Sequence, residues 1–190
     1  MPTYNGDTAE ALRLIEAAQT AGGRELSPTR GAWLAALEAK AHAGLRDARR
    51  SAVALGRAER SLSRPGSVGN RLGTDFFDAP RLVGFQGASF LLLRQPEAAR
   101  RALVDVLALR SPTDVKGRSL ARLDLAAAHI QDREVEQACA TIVEALSIPA
   151  AHQVDPIRRR GRAVLADLAP WDDHPAVRDL REQTRPILAS

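Results

Sequence analysis

The chain has 190 residues, 45% of them hydrophobic and 26% charged, which is ordinary globular usage and enough for one compact domain or one short repeat array. Aromatics make up only 4%, while Ala, Leu and Arg dominate, so helices are favoured and strands have little to be built from. The net charge of +4 is carried almost wholly by arginine, Lys40 and Lys116 being the only lysines; this is the usage of a GC-rich bacterial coding sequence and weak evidence for a nucleic-acid site.

Helical periods punctuated by breakers run from end to end. The first predicted helix covers Thr8 to Ala21, with Leu12, Ile15 and Leu14 inward, Asp7 or Thr8 as cap, and Gly22-Gly23 as its end. Ser27-Pro28 opens the second, which carries Trp33, Leu34 and Leu37 to His42 before Gly44 interrupts it. The third runs from Asp47 to Leu62 with Val53, Leu55 and Leu62 as its apolar set. Residues 63–74, rich in Ser, Gly, Arg and Pro, read as a long loop. Further helices are predicted over Asp78–Leu93, Pro96–Leu109, Asp114–Ile130, Asp132–Leu146, Asp155–Leu168 and His174–Leu188, with Pro96, Pro112, Pro156 and Pro175 at helix starts. This makes about nine helices joined by short turns, which implies antiparallel hairpins.

A repeat underlies the pattern. In Gly87, Phe90, Ala99, Leu103 and Pro112, a small residue precedes an aromatic by three, and past a turn a second small residue precedes a leucine by four. Two antiparallel helices touch where side chains are small, and larger residues fill the space beside the contact. The same spacing recurs in Ala126, His129, Ala138, Ile142 and Ala145, and in Ala39, His42, Ser51, Leu55 and Ala58. Val164, Ala176 and Leu180 form a degenerate fourth unit. Most steps between the register points Ser51, Ala99, Ala138 and Ala176 are a little longer than the ~34 residues of the tetratricopeptide period.

On these residues the chain resembles a tetratricopeptide-repeat (TPR) domain, over nearly its whole length, 1–190. The stretches Phe76-Phe77-Asp78-Ala79-Pro80-Arg81-Leu82, Gln95-Pro96-Glu97-Ala98-Ala99 and Ala169-Pro170-Trp171-Asp172-Asp173-His174-Pro175-Ala176-Val177-Arg178 also resemble the C-terminal repeat region of actinobacterial helix-turn-helix transcriptional regulators. The resemblance implies an all-α fold of stacked antiparallel hairpins wound into a superhelix. It further implies a regulatory module whose concave groove, lined by the first helix of each pair, holds a partner protein or peptide. Such regulators carry a DNA-binding domain ahead of the repeats, and no such domain is legible in this sequence, so direct nucleic-acid binding is not expected.

Projecting the repeat register places Trp33, Lys40, Arg81, Phe85, Arg122, Arg158 and Arg162 toward the groove, with Leu123 and Ala127 as an apolar middle. Cationic ends around that middle suit an acidic or C-terminal peptide held by charge-assisted bonds. Gly84, Ala88, Leu123 and Ala127 stand where the carboxylate-clamp form of the repeat has Lys and Asn, so a chaperone-tail clamp is not expected.

No catalytic, metal or cofactor site is predicted. His42 and His129 share the aromatic repeat position, and Asp172-Asp173-His174 reads as a capping turn instead of a metal cluster. Cys139, the only cysteine, rules out an internal disulfide and reads as a small buried hydrophobe. The runs Arg49-Arg50, Arg100-Arg101 and Arg158-Arg159-Arg160 do not make one basic stripe. Neither a signal peptide nor an apolar stretch of spanning length is legible, so a cytoplasmic location off the membrane is expected. Two other readings share the scaffold. One is a sensor domain of a transcriptional regulator, enclosing a small-molecule effector in the groove beneath the 63–74 loop. The other is an oligomerisation scaffold, with a homodimer formed through the groove or the amphipathic last helix.

Overall fold

A computed structural model describes residues 8–23, 26–64 and 77–188. The cap at Asp7, the position of Phe76 and the predicted loop from residue 65 onward lie outside them. Among the described residues the chain is all-helical, without strand. Its helices are α1 (Thr8–Gly22), α2 (Pro28–Gly44), α3 (Ala48–Leu62), α4 (Ala79–Leu92), α5 (Pro96–Leu109), α6 (Val115–Gln131), α7 (Val135–Leu146), α8 (Asp155–Asp167) and α9 (Pro175–Leu188). Short 3-10 turns lie at Ala150–His152 and Ala169–Trp171.

Local chemistry sets the boundaries. The side chains of Ser27, Asp47, Asp78 and Asp114 each accept from a backbone N–H in the first turn that follows, satisfying donors that a helix start leaves open. Four expectations are corrected. Leu14 and Val53 are exposed, not inward. Pro112 sits in a turn ahead of Asp114 instead of opening a helix, and α7 begins at Val135, not Asp132. In that last case Arg133 adopts a left-handed backbone (φ 62) that no right-handed helix can contain.

The turn at Arg133 belongs to a set of three. Among the described residues Arg46, Arg94 and Arg133 are the non-glycine residues with positive φ, at 62, 58 and 62°. After each, the next N–H donates to the carbonyl five residues back: Asp47 to His42, Gln95 to Phe90, and Glu134 to His129, at 3.0, 2.9 and 2.9 Å. Each arginine N–H donates three residues back, to Ala43, Leu91 and Ile130. This double bond pattern closes a helix through a left-handed residue. The accepting residues His42, Phe90 and His129 are those the repeat places together.

The chain divides into two compact units, residues 1–95 and 96–190. In the first, α2 packs against α1, α3 and α4. Its core is largely alanine: Ala32, Ala35, Ala36, Ala39, Ala54 and Ala58, closed by Leu55, Leu82 and Phe77. Methyl-sized contacts bring helix axes close, which is why small residues recur there. In the second unit α6 packs against α5, α7 and α8, and α9 covers α7 and α8. Larger side chains fill this core, with Leu103, Leu123, Ile142, Leu146, Ile157 and Leu180 fully buried. Val177, Leu180 and Leu188 point into it, so the apolar face of the last helix is already covered by its own unit. The unit boundary falls inside the Gly87–Pro112 repeat, whose two helices, α4 and α5, therefore belong to different units.

Of the repeat pairs, α2 packs on α3 and α6 on α7, and most register residues are buried. Ser51, Ala99 and Ala138 are buried, as are Ala39, Gly87 and Ala126 on the preceding helices. Leu55, Leu103, Ile142 and Leu180 are buried beside them. Ala176, in the degenerate fourth unit, is half-buried.

Candidate functional site

The residues placed toward a groove fall in two groups. Trp33 and Lys40 on α2 with Arg81 and Phe85 on α4 belong to the first unit; Arg122 on α6 with Arg158 and Arg162 on α8 belong to the second.

In the first unit the aromatic members double as core. Trp33 and Phe85 both pack against Ile15, Leu34 and Leu37 as well as against the alanine core. The Phe85 ring meets Phe77 edge-on, with centroids 5.7 Å apart and planes at 66°, a geometry that the ring quadrupoles favour. Lys40 is half-buried. The Arg81 guanidinium reaches the Asp78 carboxylate at 2.7 Å, while the other oxygen of that carboxylate caps the Arg81 backbone N–H at 2.9 Å. The pair is exposed and spaced i, i+3, so it holds the guanidinium only weakly.

A polar network that the sequence did not reveal lies in the same unit. Glu38 on α2 is largely buried and accepts from Gln19 on α1 at 3.0 Å. It pairs with Arg57 on α3 at 2.5 Å, and His42 Nε2 stands 3.7 Å away. One carboxylate thus ties three helices together. A buried Glu amid alanines is the only sequence signal for it, because its partners lie about 19 residues to either side and no local period connects them.

In the second unit the arginines serve the chain itself. Arg158 donates to the Gln153 carbonyl and Arg162 to the Leu188 carbonyl, the latter at 2.8 Å. Arg122 stands 3.5 Å from Glu144, whose carboxylate is mostly exposed. Arg160 bonds Asp124 at 2.7 Å across α8 and α6, and Arg159 pairs with Asp155. The triple-arginine run is therefore engaged within its own unit at all three positions. Leu123 is fully buried and Ala127 nearly so; they belong to the core and do not line an open groove, which corrects the expected apolar middle. The two face inward because the α6 stripe that packs on α5, α7 and α8 is wider than the stripe the repeat assigns to pairing.

Several titratable groups elsewhere serve the structure. The Glu134 carboxyl is lowered from its ordinary value, chiefly by its bond to His129 and further by Arg100. Burial pushes the Cys139 thiol up, with Glu136 adding to the effect, the condition of a packed side chain and not of a nucleophile. The His174 imidazole reaches Glu136 at 3.1 Å, and its backbone carbonyl accepts from Val177 and Arg178. Asp172 is paired with Arg181. Among the described residues no group of three His, Cys, Asp or Glu could hold a metal ion, and no helix is long and apolar enough to cross a membrane. Compared with known protein families, curated proteins and solved structures, the chain matches none.

Proposed function

We propose that the protein is a TPR-like interaction module with a regulatory role, holding an acidic segment of a partner protein on the first helices of its pairs. The observation that carries this reading is the repeated connection between first and second helices. Three times an aromatic or His carbonyl closes a left-handed arginine turn, and three times a buried small residue follows four positions after the turn. Within the first unit α2 packs on α4, and within the second α6 packs on α8 and α7 on α9. First helix on first helix and second on second is the packing that stacked hairpins require. The regulatory element of the proposal rests on the resemblance of residues 76–82, 95–99 and 169–178 to regulator repeat regions.

Arg81 and Arg122 are the best-placed recognition groups. Among the described residues each guanidinium is held by one well-exposed carboxylate, which a partner's carboxylate can replace at little cost. Arg158 and Arg162 are committed to backbone carbonyls of their own unit. The test is affinity capture from host lysate read by mass spectrometry, comparing wild type with an Arg81→Glu, Arg122→Glu variant shown by circular dichroism to fold. A partner retained by wild type and lost by the variant supports the assignment. Equal capture by both would remove these residues from the site.

A further inference from the structure

The outward face of α3 carries three choices that its own fold disfavours. Arg49 stands in the first turn, at the positive end of the helix dipole, where a cation costs stability. Val53 is 57% exposed. Gly56 occupies a helix interior, where glycine is less favourable than alanine. A Cβ added there would meet only the Arg60 guanidinium, at 3.3 Å, the far end of a flexible side chain, so the fold itself does not call for a glycine. Arg49, Val53, Gly56 and Arg60 follow i, i+4, i+7, i+11 spacing and lie on one stripe. Among the described residues Arg49 and Arg60 have no ion-pair partner. Local rules broken together on one exposed face point to something that covers it.

The second unit carries the complement. On α7, Glu136, Ala140 and Glu144 form an exposed stripe at i, i+4, i+8, with carboxylates 75% and 68% exposed. The repeat register relates the two faces at two positions: Arg49 and Val53 flank Ser51 at two residues on either side, as Glu136 and Ala140 flank Ala138. At the first of them the charge is opposite, Arg49 against Glu136. The imbalance extends further, since residues 1–95 hold 13 of the 27 Lys and Arg but only 9 of the 23 Asp and Glu.

We propose that α3 of one copy docks antiparallel on α7 of a second copy. In that orientation Arg49 meets Glu144, Arg60 meets Glu136, and Val53 and Gly56 lie against Ala140. Eleven helical residues rise about 16 Å and eight about 12 Å, a mismatch that arginine side chains span. Antiparallel packing also opposes the helix dipoles favourably. His174 and Arg122 touch these glutamates from within the chain, and a carboxylate has lone pairs enough to accept from a second donor. The face lies on second helices and meets the first-helix surface proposed for the partner segment at the Arg122–Glu144 pair.

The test is sedimentation velocity of the full chain across concentration, at about 50 mM and about 500 mM salt. Reversible self-association that salt weakens is expected. The Arg49→Glu, Arg60→Glu and the Glu136→Arg, Glu144→Arg variants should each lose affinity for themselves by about tenfold or more. An equimolar mixture of the two should associate again, because each then presents the charge the other lacks. Gly56→Leu should melt no lower than wild type yet lose association, which a purely structural glycine would not do, and it decides the matter if a charge swap fails to fold. A wild type that stays monomeric to about 1 mM, swaps that leave association intact, or a mixture of folded swaps that does not recover would each overturn the proposal.

Discussion

Arg46, Arg94 and Arg133 hold a backbone conformation in which any Cβ crowds the following carbonyl, at a cost of about 1–2 kcal/mol for an L-residue. Glycine relieves that crowding but loses more chain entropy on folding, about 0.5–1 kcal/mol. The difference predicts that Arg133→Gly stabilises the second unit by about 0.5–1 kcal/mol, read as a higher urea midpoint at unchanged slope. A lower midpoint would show that the Arg133 side chain contributes more than its backbone costs. The turns were legible in position but not in geometry. The offset from His42 to Arg46, from Phe90 to Arg94 and from His129 to Arg133 is constant, yet arginine is a good helix former, so propensity predicts the helix to continue where the structure turns. For the same reason the sequence places Asp132 in α7, where the structure makes it the C-cap of α6. Leu14 and Val53 misled for a related reason: apolar residues on a period are assigned inward, and a surface helix with exposed apolar residues breaks that inference.

At the scale of the elements, the arginine richness of this chain becomes a way of finishing helices. The last carbonyls of a helix have no intrahelical donor and carry the negative end of its dipole. The Arg118 guanidinium supplies the Leu107 and Arg110 carbonyls at the end of α5, at 2.6 and 3.1 Å. Arg181 does the same for the Leu165 carbonyl of α8 at 3.3 Å, and Arg162 for Leu188 of α9. Each donor comes from a different helix, so each bond also sets how two helices lie together. Arg118→Ala is expected to cost about 1–2 kcal/mol by removing two charge-assisted bonds from a half-buried helix end. Arg118→Lys should recover only part, since an ammonium lacks the planar fork. Thermal unfolding followed at 222 nm checks this, and an alanine variant melting with wild type would show that water replaces the guanidinium without loss. Helix existence and order were legible throughout, because Ser27-Pro28, Asp47, Asp78, Pro96, Asp155-Pro156 and Pro175 are strong local signals. The roles of the arginines were not. A side chain such as Arg162, exposed in a helical projection, reaches a carbonyl 26 residues away, and no local pattern encodes that.

For the whole molecule, the two units solve the same packing problem with different side chains. The first relies on an alanine seam supported by the Glu38 network and by the partly buried rings of Trp33 and Phe85. The second relies on branched aliphatics, with Leu103, Ile142, Ile157 and Leu180 sealed from solvent. Alanine-rich contacts bury little area per residue, so the first unit gains less from each contact and depends more on its polar ties. In the second unit one large truncation should be felt strongly. Ile142 is fully buried, and Ile142→Ala is expected to cost about 3 kcal/mol through lost transfer energy and the cavity left behind. The two tryptophans give the readout, since Trp33 lies in the first unit and Trp171 in the second. In a Trp33→Phe background Trp171 fluorescence should show the full loss. In a Trp171→Phe background Trp33 should shift less, because the cavity opens in a core to which it does not belong. If both tryptophans report the same shift against their own parent proteins, the chain unfolds as one cooperative body, and a substitution in either core lowers the stability of the whole.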